Sequence, residues 1–290
     1  LFALEKLGAK IKIKNGYIYA SAQHGLKGTI IKFPSISVGA TENAILAAVS
    51  ASGKTIISNC AIEPEIQDMI VFLKKMGCNI NFIGKRKILI IGTKEFKSTS
   101  HEIIFDRIEL GTYLIAAALA GKKIIFLKIK SIIIETEIKL LKKMGVKMKV
   151  EKNKITIFES GKLNSTNVKT EPYPGFPTDL QAQIMVLMIR ASGISKITEN
   201  IFENRFMHVP ELRRMGAKII TKNNVAFISG PTNLSGAEVM ATDLRASVSL
   251  VLAALVADNR TIINRVYHLD RGYENLEKKL KKCRAIINRI

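Results

Sequence analysis

The chain has 290 residues, 47% hydrophobic and 24% charged, so it is long enough to bury a core in each of two domains. Its apolar stretches, such as residues 248–257, are too short to span a bilayer. No signal peptide is recognisable either, so we expect a cytoplasmic protein without membrane insertion. Three cysteines at positions 60, 78 and 283, without a C-x-x-C pair, argue against a disulfide framework or zinc site and predict buried, reduced thiols.

The formal net charge of +21 raises the question of a polyanionic partner. Lysine supplies 33 of the 45 basic residues, and these lysines are spread along the whole chain, whereas only 6% of the residues are aromatic. Nucleic-acid binders concentrate their basic groups and add stacking aromatics. We therefore expect no nucleic-acid partner, although a basic protein is well suited to small phosphorylated substrates.

A helix followed by a strand recurs along the chain at separations of 69, 68, 71 and 68 residues. Each copy ends its helix in a basic turn, continues with a glycine expected in the left-handed C′ position, and then alternates as a strand. The copies occupy residues 4–13, 73–82, 141–150 and 212–221, with a degraded copy at 280–289. Arg284 replaces the glycine in the last copy, so we expect that helix to end differently.

Upstream of this passage each copy carries a second helix rich in alanine and other small apolar residues. These helices are predicted at residues 41–53, 109–121, 178–193 and 242–258, and their composition predicts that they are buried. Each copy then follows the order strand–helix–strand–helix–strand–strand, which gives four complete copies after a half copy in the first 33 residues. Units of this size are larger than solenoid repeats, so we expect compact α/β domains.

Six segments stand out from the repeat. They are SVGATEN (37–43), CAIEPEIQD (60–68), YPGFPTDLQAQ (173–183), IFENRFMHVPELRRMGA (201–217), MATDLRAS (240–247) and HLDRGYENLEKKL (268–280). In this order and spacing they resemble the UDP-N-acetylglucosamine 1-carboxyvinyltransferase family over the whole chain.

The resemblance implies an inside-out α/β enolpyruvyl-transferase fold, with two domains of repeated βαβαββ units and the first units missing from this chain. Residues 1–104 would be the remaining part of the nucleotide-sugar domain, and residues 105–290 most of the second domain. The substrates would bind in the cleft between the two.

The activity implied is transfer of the enolpyruvyl group of phosphoenolpyruvate to the 3′-hydroxyl of UDP-N-acetylglucosamine, with release of phosphate. This is the first committed step of peptidoglycan synthesis, and so it serves cell-wall biogenesis, cell shape and cell division. The resemblance implies no metal or organic cofactor, and we expect a monomer.

The reaction needs a base for the hydroxyl and cations for the phosphate and carboxylate. By resemblance Asp179 is the base, and Arg245 and Arg271 are the clamp, since the guanidinium fork binds both anions. On the residues alone, Arg245 and Arg271 could instead form salt bridges with Asp243 and Asp270.

Every copy has an acid at the start of its buried helix, namely Glu42, Glu109, Asp179 and Asp243. Three of the four are expected to be structural, capping backbone N–H groups. Asp179 is distinguished by its lead-in YPGFPT, in which two prolines and a glycine predict a rigid loop.

Substrate contacts are expected, by the same resemblance, in the SVGATEN loop and at several separate positions. Glu63 and Glu65 are similar to acids near the family's site, although Pro64 between them suits an ordinary helix start equally well. Cys60 is not expected to be the family's reactive cysteine, because it lies in a different segment. The expected substrate-binding residues are Ser35, Ile36, Ser37, Val38, Gly39, Glu63, Arg107, Thr178, Ile201, Phe202 and Arg205.

Two alternatives remain. One is 5-enolpyruvylshikimate-3-phosphate synthase, which shares the fold and the donor. The other is a substrate-binding remnant without turnover, because the family's cysteine loop and N-terminal basic residues are expected ahead of Leu1 and because Arg284 breaks the repeat. On this view the chain as given releases no phosphate.

Overall fold

The computed structural model describes residues 1–290, which divide into two compact units, Leu1–Ile104 and Phe105–Ile290. No helix in either unit has both the length and the apolar character needed to cross a membrane. The elements of the first unit are α1 (Phe2–Lys6), β1 (Lys10–Lys14), β2 (Tyr17–Ser21), β3 (Ile30–Lys32), α2 (Val38–Ala48), β4 (Lys54–Ser58), α3 (Pro64–Lys75), β5 (Asn79–Gly84) and β6 (Lys87–Ile91).

The second unit contains seven helices and twelve short strands, with 3-10 turns at Ser131–Ile134 and Thr178–Leu180. The helices are α4 (Arg107–Ala120), α5 (Glu135–Lys143), α6 (Gln181–Ile189), α7 (Val209–Arg214), α8 (Leu244–Ala254), α9 (Tyr267–Asp270) and α10 (Leu276–Lys282). The strands are β7 (Lys123–Leu127), β8 (Met148–Glu151), β9 (Lys154–Phe158), β10 (Leu163–Asn164), β11 (Asn167–Lys169), β12 (Ala191–Thr198), β13 (Lys218–Lys222), β14 (Val225–Gly230), β15 (Leu234–Ser235), β16 (Glu238–Met240), β17 (Ala257–Asp258) and β18 (Ile262–Asn264).

Two repeats show the full predicted order of elements. In the first unit the sheet order is β3–β4–β6–β5, with β3 parallel to β4 and the other pairs antiparallel. In the second unit β10 and β11 lie parallel to β12, and β14 and β13 follow antiparallel. Both copies thus cross over through the buried helix and close with a hairpin.

The prediction of four complete copies is wrong for the other two repeats. The repeat built on α4 has only the antiparallel strands β7, β9 and β8, because the polar segment 93–106 before it forms no strand. The repeat built on α8 has the parallel pairs β15–β17 and β16–β18, but residues 284–290 form no strand. The repeat built on α4 thus lacks the parallel strand that β3 provides beside β4, and the repeat built on α8 lacks the closing hairpin that β5 and β6 form.

The small-residue helices of the second unit are largely buried, as predicted, but the prediction is wrong for α2, which is only partly buried, with Leu46 52% exposed. Every residue of α6 is buried, and α4 and α8 pack against it. The approach of α4 to the turn before α6 depends on Gly111, where a Cβ would lie 2.5 Å from Leu180 Cδ1. A larger residue at this position would therefore displace the Leu180 side chain.

The repeat glycines end their helices in the left-handed conformation, as predicted. Gly8, Gly77, Gly145 and Gly216 have φ between 90° and 98°. The prediction that the last helix ends differently is wrong. Arg284 has a φ of 70°, and α10 ends with the same pair of backbone hydrogen bonds as the earlier helices, Arg284 N to Lys281 O and Ala285 N to Leu280 O. The Schellman pattern is kept without glycine, at the steric cost of a Cβ in left-handed backbone. Arg284 is therefore no sign of a decaying repeat.

Candidate active site

The Asp179 carboxylate lies between two arginines that come from different elements of the second unit. Its Oδ1 is 2.8 Å from Arg205 Nη2, and its Oδ2 is 3.7 Å from Arg245 Nε. About a third of the Asp179 side chain is exposed, whereas the Arg245 side chain is 17% exposed. The three side chains form a partly open, net positive cluster, which we call the Asp179 cluster.

The turn that carries Asp179 is held in place by its surroundings. Glu171 N donates to Phe176 O and Gly175 N to Pro172 O, which closes the preceding loop. A Cβ on Gly175 would lie 2.5 Å from the Cβ of Glu171, so only glycine fits there. The loop is closed and tightly packed, as the two prolines and the glycine predicted.

A buried carboxylate, Glu199, ties this turn to the loop that follows β12. Glu199 is 2% exposed and accepts hydrogen bonds from the hydroxyls of Thr170 (2.8 Å) and Thr178 (2.9 Å). It also accepts from the backbone N–H groups of Ile201 and Phe202. Thr178, beside Asp179, and Ile201 and Phe202, on the loop that leads to Arg205, are therefore anchored on one side chain.

Arg205 reaches the cluster from that loop. Its guanidinium lies 5.2 Å from the ring centroid of Phe202, which is 55% exposed, as well as beside Asp179. Ile201 is also exposed. The loop thus presents two apolar side chains to solvent next to a cation, an arrangement suited to a ligand with both apolar and anionic parts.

The two clamp arginines do not form the salt bridges that the residues alone allowed. Asp243 accepts from the backbone N–H groups of Arg245 (2.7 Å) and Ala246 (2.8 Å) and so caps α8, while Asp270 pairs with Arg289. Arg245 faces Asp179 and Tyr273 instead. Arg271 is exposed and has no hydrogen bond or ion pair within the protein.

The acids at the helix starts have diverged in role. Asp243 is a cap, as predicted, but Glu109 is not, because Asp106 caps α4 and Glu109 pairs with Lys279 at 2.6 Å. Glu42 also caps nothing, because Ser37 caps α2. The prediction of three structural caps was therefore wrong for Glu42, which lies beyond the first turn of α2, and for Glu109, because Asp106 already accepts from the first free N–H groups of α4.

In the first unit the SVGATEN loop forms the start of α2. Ser37 Oγ accepts from Ala40 N, and Thr41 Oγ1 donates to Ser37 O and accepts from Ala61 N. Ile36 and Val38 pack partly against the core of this unit, and Ser35 is exposed. A Cβ on Gly39 would meet no protein atom, so nothing inside the unit requires glycine there.

Acidic side chains gather near the same helix start. Glu63 is 4% exposed and immediately precedes α3, which begins at Pro64. Burial raises the pKa of Glu42 above its usual value, and the nearby charges of Glu65 and Glu63 raise it further. The predicted helix start at Pro64 is confirmed.

Arg107, also predicted to contact substrate, lies among internal contacts. It is 8% exposed, with Nη1 3.7 Å from Glu137 Oε1 and its guanidinium 5.6 Å from the Tyr173 ring centroid. The structure thus places it in a buried ion pair rather than in the Asp179 cluster.

All three cysteines are free thiols. Cys60 is fully buried, and burial raises its pKa to about 11, which makes it a poor nucleophile and agrees with setting it aside. Cys78 is buried as predicted. Cys283 is exposed, so the prediction of a buried thiol is wrong there, because it lies at the solvent-facing end of α10.

Comparison with known proteins identifies the family. The family model for EPSP synthase (3-phosphoshikimate 1-carboxyvinyltransferase) matches residues 1–280. The UDP-N-acetylglucosamine 1-carboxyvinyltransferase of Pelagibacter ubique is 58% identical over 290 residues, covering 100% of this chain and 70% of that protein. The protein of that name from Rickettsia prowazekii is 52% identical over 287 residues, covering 99% and 68%. The chain belongs to the enolpyruvyl (1-carboxyvinyl) transferase family.

Solved structures of enolpyruvyl transferases agree with this assignment. The enolpyruvyl transferase NikO from Streptomyces tendae has a TM-score of 0.91 and 27% identity, covering 99% of this chain and 71% of that one. EPSP synthase from Acinetobacter baumannii has a TM-score of 0.71 and 18% identity, covering 97% and 69%, and so shows the shared fold. The predicted enolpyruvyl-transferase fold is confirmed, and the protein is a transferase.

Within this enolpyruvyl transferase, the sequence missed the residues that hold the Asp179 cluster together. Gln183, Thr112 and Tyr273 are buried polar residues bonded to one another, and the buried Glu199 holds Thr178, next to Asp179. Gln183 and Thr112 are polar residues within mainly apolar helices, which is the feature of the sequence that could have indicated them. Buried polar groups are costly unless paired, so polar residues inside a buried helix mark a specific contact.

Proposed function

We propose that this enolpyruvyl transferase joins phosphoenolpyruvate to the 3′-hydroxyl of UDP-N-acetylglucosamine and releases phosphate, the first committed step of peptidoglycan synthesis. The observation that carries the proposal is the 58% identity, over the full chain, to a relative named for this activity. The Asp179 cluster supplies side chains suited to the chemistry.

Asp179 serves as the base in this proposal. Its carboxylate is partly exposed and is anchored through the turn beside Thr178, so it can accept the hydroxyl proton while the sugar oxygen bonds to C2 of phosphoenolpyruvate. The methylene carbon C3 gains a proton from solvent in the same addition. Loss of a proton from C3 and departure of phosphate from C2 then restore the double bond and give the enolpyruvyl ether.

Arg245 and Arg271 bind the phosphate and carboxylate of phosphoenolpyruvate, and Arg205 assists them. Arg245 is held near Asp179, whereas Arg271 has no partner within the protein and is free to meet an anion. Guanidinium groups in a partly desolvated cluster stabilise the charge that develops on the departing phosphate.

The nucleotide sugar is assigned to Ser35–Gly39, with Glu63, in the first unit, and to Thr178, Ile201 and Phe202 in the second. The open space at Gly39 and the two exposed apolar side chains of the 201–202 loop support these contacts. Arg107 orders the loop that contains Tyr173, through the contact of its guanidinium with the Tyr173 ring. In this proposal residues 1–104 and 105–290 are parts of the two domains of the family, and the protein is a cytoplasmic monomer that serves cell-wall growth, cell shape and division.

A comparison of acceptors tests the function. Phosphate release from phosphoenolpyruvate is measured with UDP-N-acetylglucosamine or with shikimate 3-phosphate, using the product of the whole coding sequence. Phosphate release only with the nucleotide sugar is the expected result. Release only with shikimate 3-phosphate would replace this activity by that of EPSP synthase, and release with neither acceptor would reject both.

A further inference from the structure

Tyr273 lies where polar groups of three helices meet. It is 1% exposed, and its hydroxyl is 3.0 Å from Thr112 Oγ1 on α4 and 3.2 Å from Gln183 Nε2 on α6. Arg245 Nη1, on α8, lies 3.4 Å from the same oxygen. Because Thr112 donates its own hydroxyl hydrogen to Ile108 O, the Tyr273 hydroxyl donates to Thr112 and accepts from Gln183 and Arg245.

These contacts connect the two groups to which the chemistry is assigned. The Arg245 guanidinium lies 5.6 Å from the Tyr273 ring centroid, so both the ring and the hydroxyl of Tyr273 contact it. Gln183 Nε2 also donates to the backbone oxygen of Asp179 at 2.8 Å. One buried hydroxyl therefore orients the arginine directly and the aspartate turn through Gln183.

The position of Tyr273 in the chain adds a third connection. Arg271 lies two residues earlier, on an exposed segment whose buried anchor is the Tyr273 side chain. Between them, a Cβ on Gly272 would lie 2.5 Å from Leu244 Cδ1 and 3.5 Å from Arg245 Nη1. Glycine at 272 thus lets the Arg271 segment lie against the start of α8.

We propose that Tyr273 is a positioning residue for the anion clamp, holding Arg245 and Arg271 where they bind the phosphate and carboxylate of phosphoenolpyruvate. The proposal rests on the proposed function. Burial raises the pKa of Tyr273 above its usual value, so the hydroxyl remains protonated and keeps its hydrogen for Thr112 at neutral pH.

The chain offers matched controls. Tyr113, one residue after Thr112, has a buried hydroxyl without a hydrogen-bond partner, so Tyr113→Phe removes the same group from the same region without losing a bond. Thr112→Val removes a partner of Tyr273 without removing a contact to Arg245. Both variants leave the arginines and Asp179 in place.

The test measures steady-state kinetics for each substrate, binding of inorganic phosphate by calorimetry, and thermal unfolding. Tyr273→Phe is expected to raise the KM for phosphoenolpyruvate and the Kd for phosphate about ten-fold, and to leave the KM for UDP-N-acetylglucosamine within about two-fold. Tyr113→Phe should leave all three within about two-fold. Thr112→Val should lower the unfolding temperature without the selective effect on phosphoenolpyruvate.

Three results would overturn the inference. They are an unchanged phosphate Kd in Tyr273→Phe, an equal rise in both KM values, or the same selective loss in Thr112→Val. The phosphate measurement also separates this inference from the proposed function. If the unmodified protein binds phosphate but turns over neither acceptor, the function fails, while the effect of Tyr273→Phe on phosphate binding still decides the positioning role.

Discussion

Two turns with the same tripeptide, Thr-Asp-Leu, open the buried helices α6 and α8, yet they use their aspartates differently. In Thr242–Leu244 the aspartate is the N-cap of α8, and its carboxylate accepts two backbone N–H groups. In Thr178–Leu180 the aspartate lies one residue inside a 3-10 turn that begins after Pro177, and its carboxylate faces two arginines.

The difference comes from the residues around the tripeptide. Pro177 fixes an extended backbone just before the turn, so the helical conformation begins earlier and Asp179 moves past the capping position. The Thr178 hydroxyl, which could also have capped, donates to Glu199. A preceding proline and a buried acceptor therefore accompany the change from a capping carboxylate to one that faces two arginines.

Replacing the two aspartates should give the largest effects, and these should differ between the two turns. Asp179→Asn keeps the size but removes the base, so kcat should fall about 10²–10⁴-fold while UDP-N-acetylglucosamine binding remains. Asp243→Ala should instead cost about 1 kcal/mol of unfolding free energy, because the cap of α8 is lost. For Asp179→Asn, phosphate release measures kcat and calorimetry measures UDP-N-acetylglucosamine binding. For Asp243→Ala, urea unfolding measures the free energy of unfolding. Unchanged turnover in Asp179→Asn would remove it as the base.

Arg245 belongs to both turns, since its N–H is capped by Asp243 and its side chain faces Asp179. Arg245→Lys keeps the charge but loses the planar fork, so we expect kcat/KM for phosphoenolpyruvate to fall roughly 10- to 100-fold, with little change in stability. An equal loss of affinity for both substrates would show that Arg245 organises the whole site instead of binding one anion.

His208 lies near the charges of Asp243 and Arg205 and is expected to make stability depend on pH. It is fully buried, both ring nitrogens lack hydrogen-bond partners, and burial lowers its pKa to about 4, with Arg205 lowering it and Asp243 raising it. In the unfolded chain the His208 imidazole has a pKa of about 6.5. Between pH ~6.5 and 4 the unfolded state therefore binds more protons than the folded state, so stability should fall as the pH drops from ~6.5 towards 4.

Replacing this histidine tests the linkage. Wild type and His208→Phe are compared by urea unfolding at several pH values, and wild type should lose roughly 2–3 kcal/mol more than the variant over this window. Parallel pH profiles would mean that His208 does not titrate in this way.

The smallest expected effect is on stability, at the C-terminal ends of α10 and α7. Arg284→Gly should stabilise the protein by about 0.5–1 kcal/mol, because α10 already ends in a left-handed residue and glycine relieves the Cβ contact. Gly216→Ala, at the matching end of α7, should destabilise by about 1 kcal/mol. Thermal unfolding of both variants measures the difference, and destabilisation by Arg284→Gly would show that the arginine side chain is needed there.

Much of the architecture could be predicted because it is written in local patterns. Glycine after a basic helical turn, and small apolar residues in the other helix, predicted the helix ends at Gly77 and Gly145 and the burial of α6. The exceptional character of Asp179 was also visible in its proline-rich lead-in. These features depend on residues within a few positions of one another.

The remainder depends on contacts between distant residues. The Tyr273 hydroxyl meets Thr112 across 161 positions, and Glu199 reaches Thr170 across 29, and no short-range pattern encodes such pairs. The loss of strands in two repeats was also invisible, because pairing depends on a partner strand. The error at Arg284 arose because backbone hydrogen bonds, and not the side chain, decided how α10 ends.

Helix α6 has a consequence for how the protein opens. Since all nine of its residues are buried and it carries the Asp179 turn at its start, its amides have no route to solvent through surface fluctuations. Their hydrogen exchange should therefore proceed only by cooperative unfolding of the second unit, which makes them a direct gauge of its global stability. In the exposed 201–205 loop, by contrast, the amides of Ile201 and Phe202 are held by Glu199, whereas those of residues 203 and 204 should exchange quickly. The Asp179 cluster therefore joins the slowest and some of the fastest amides of the molecule.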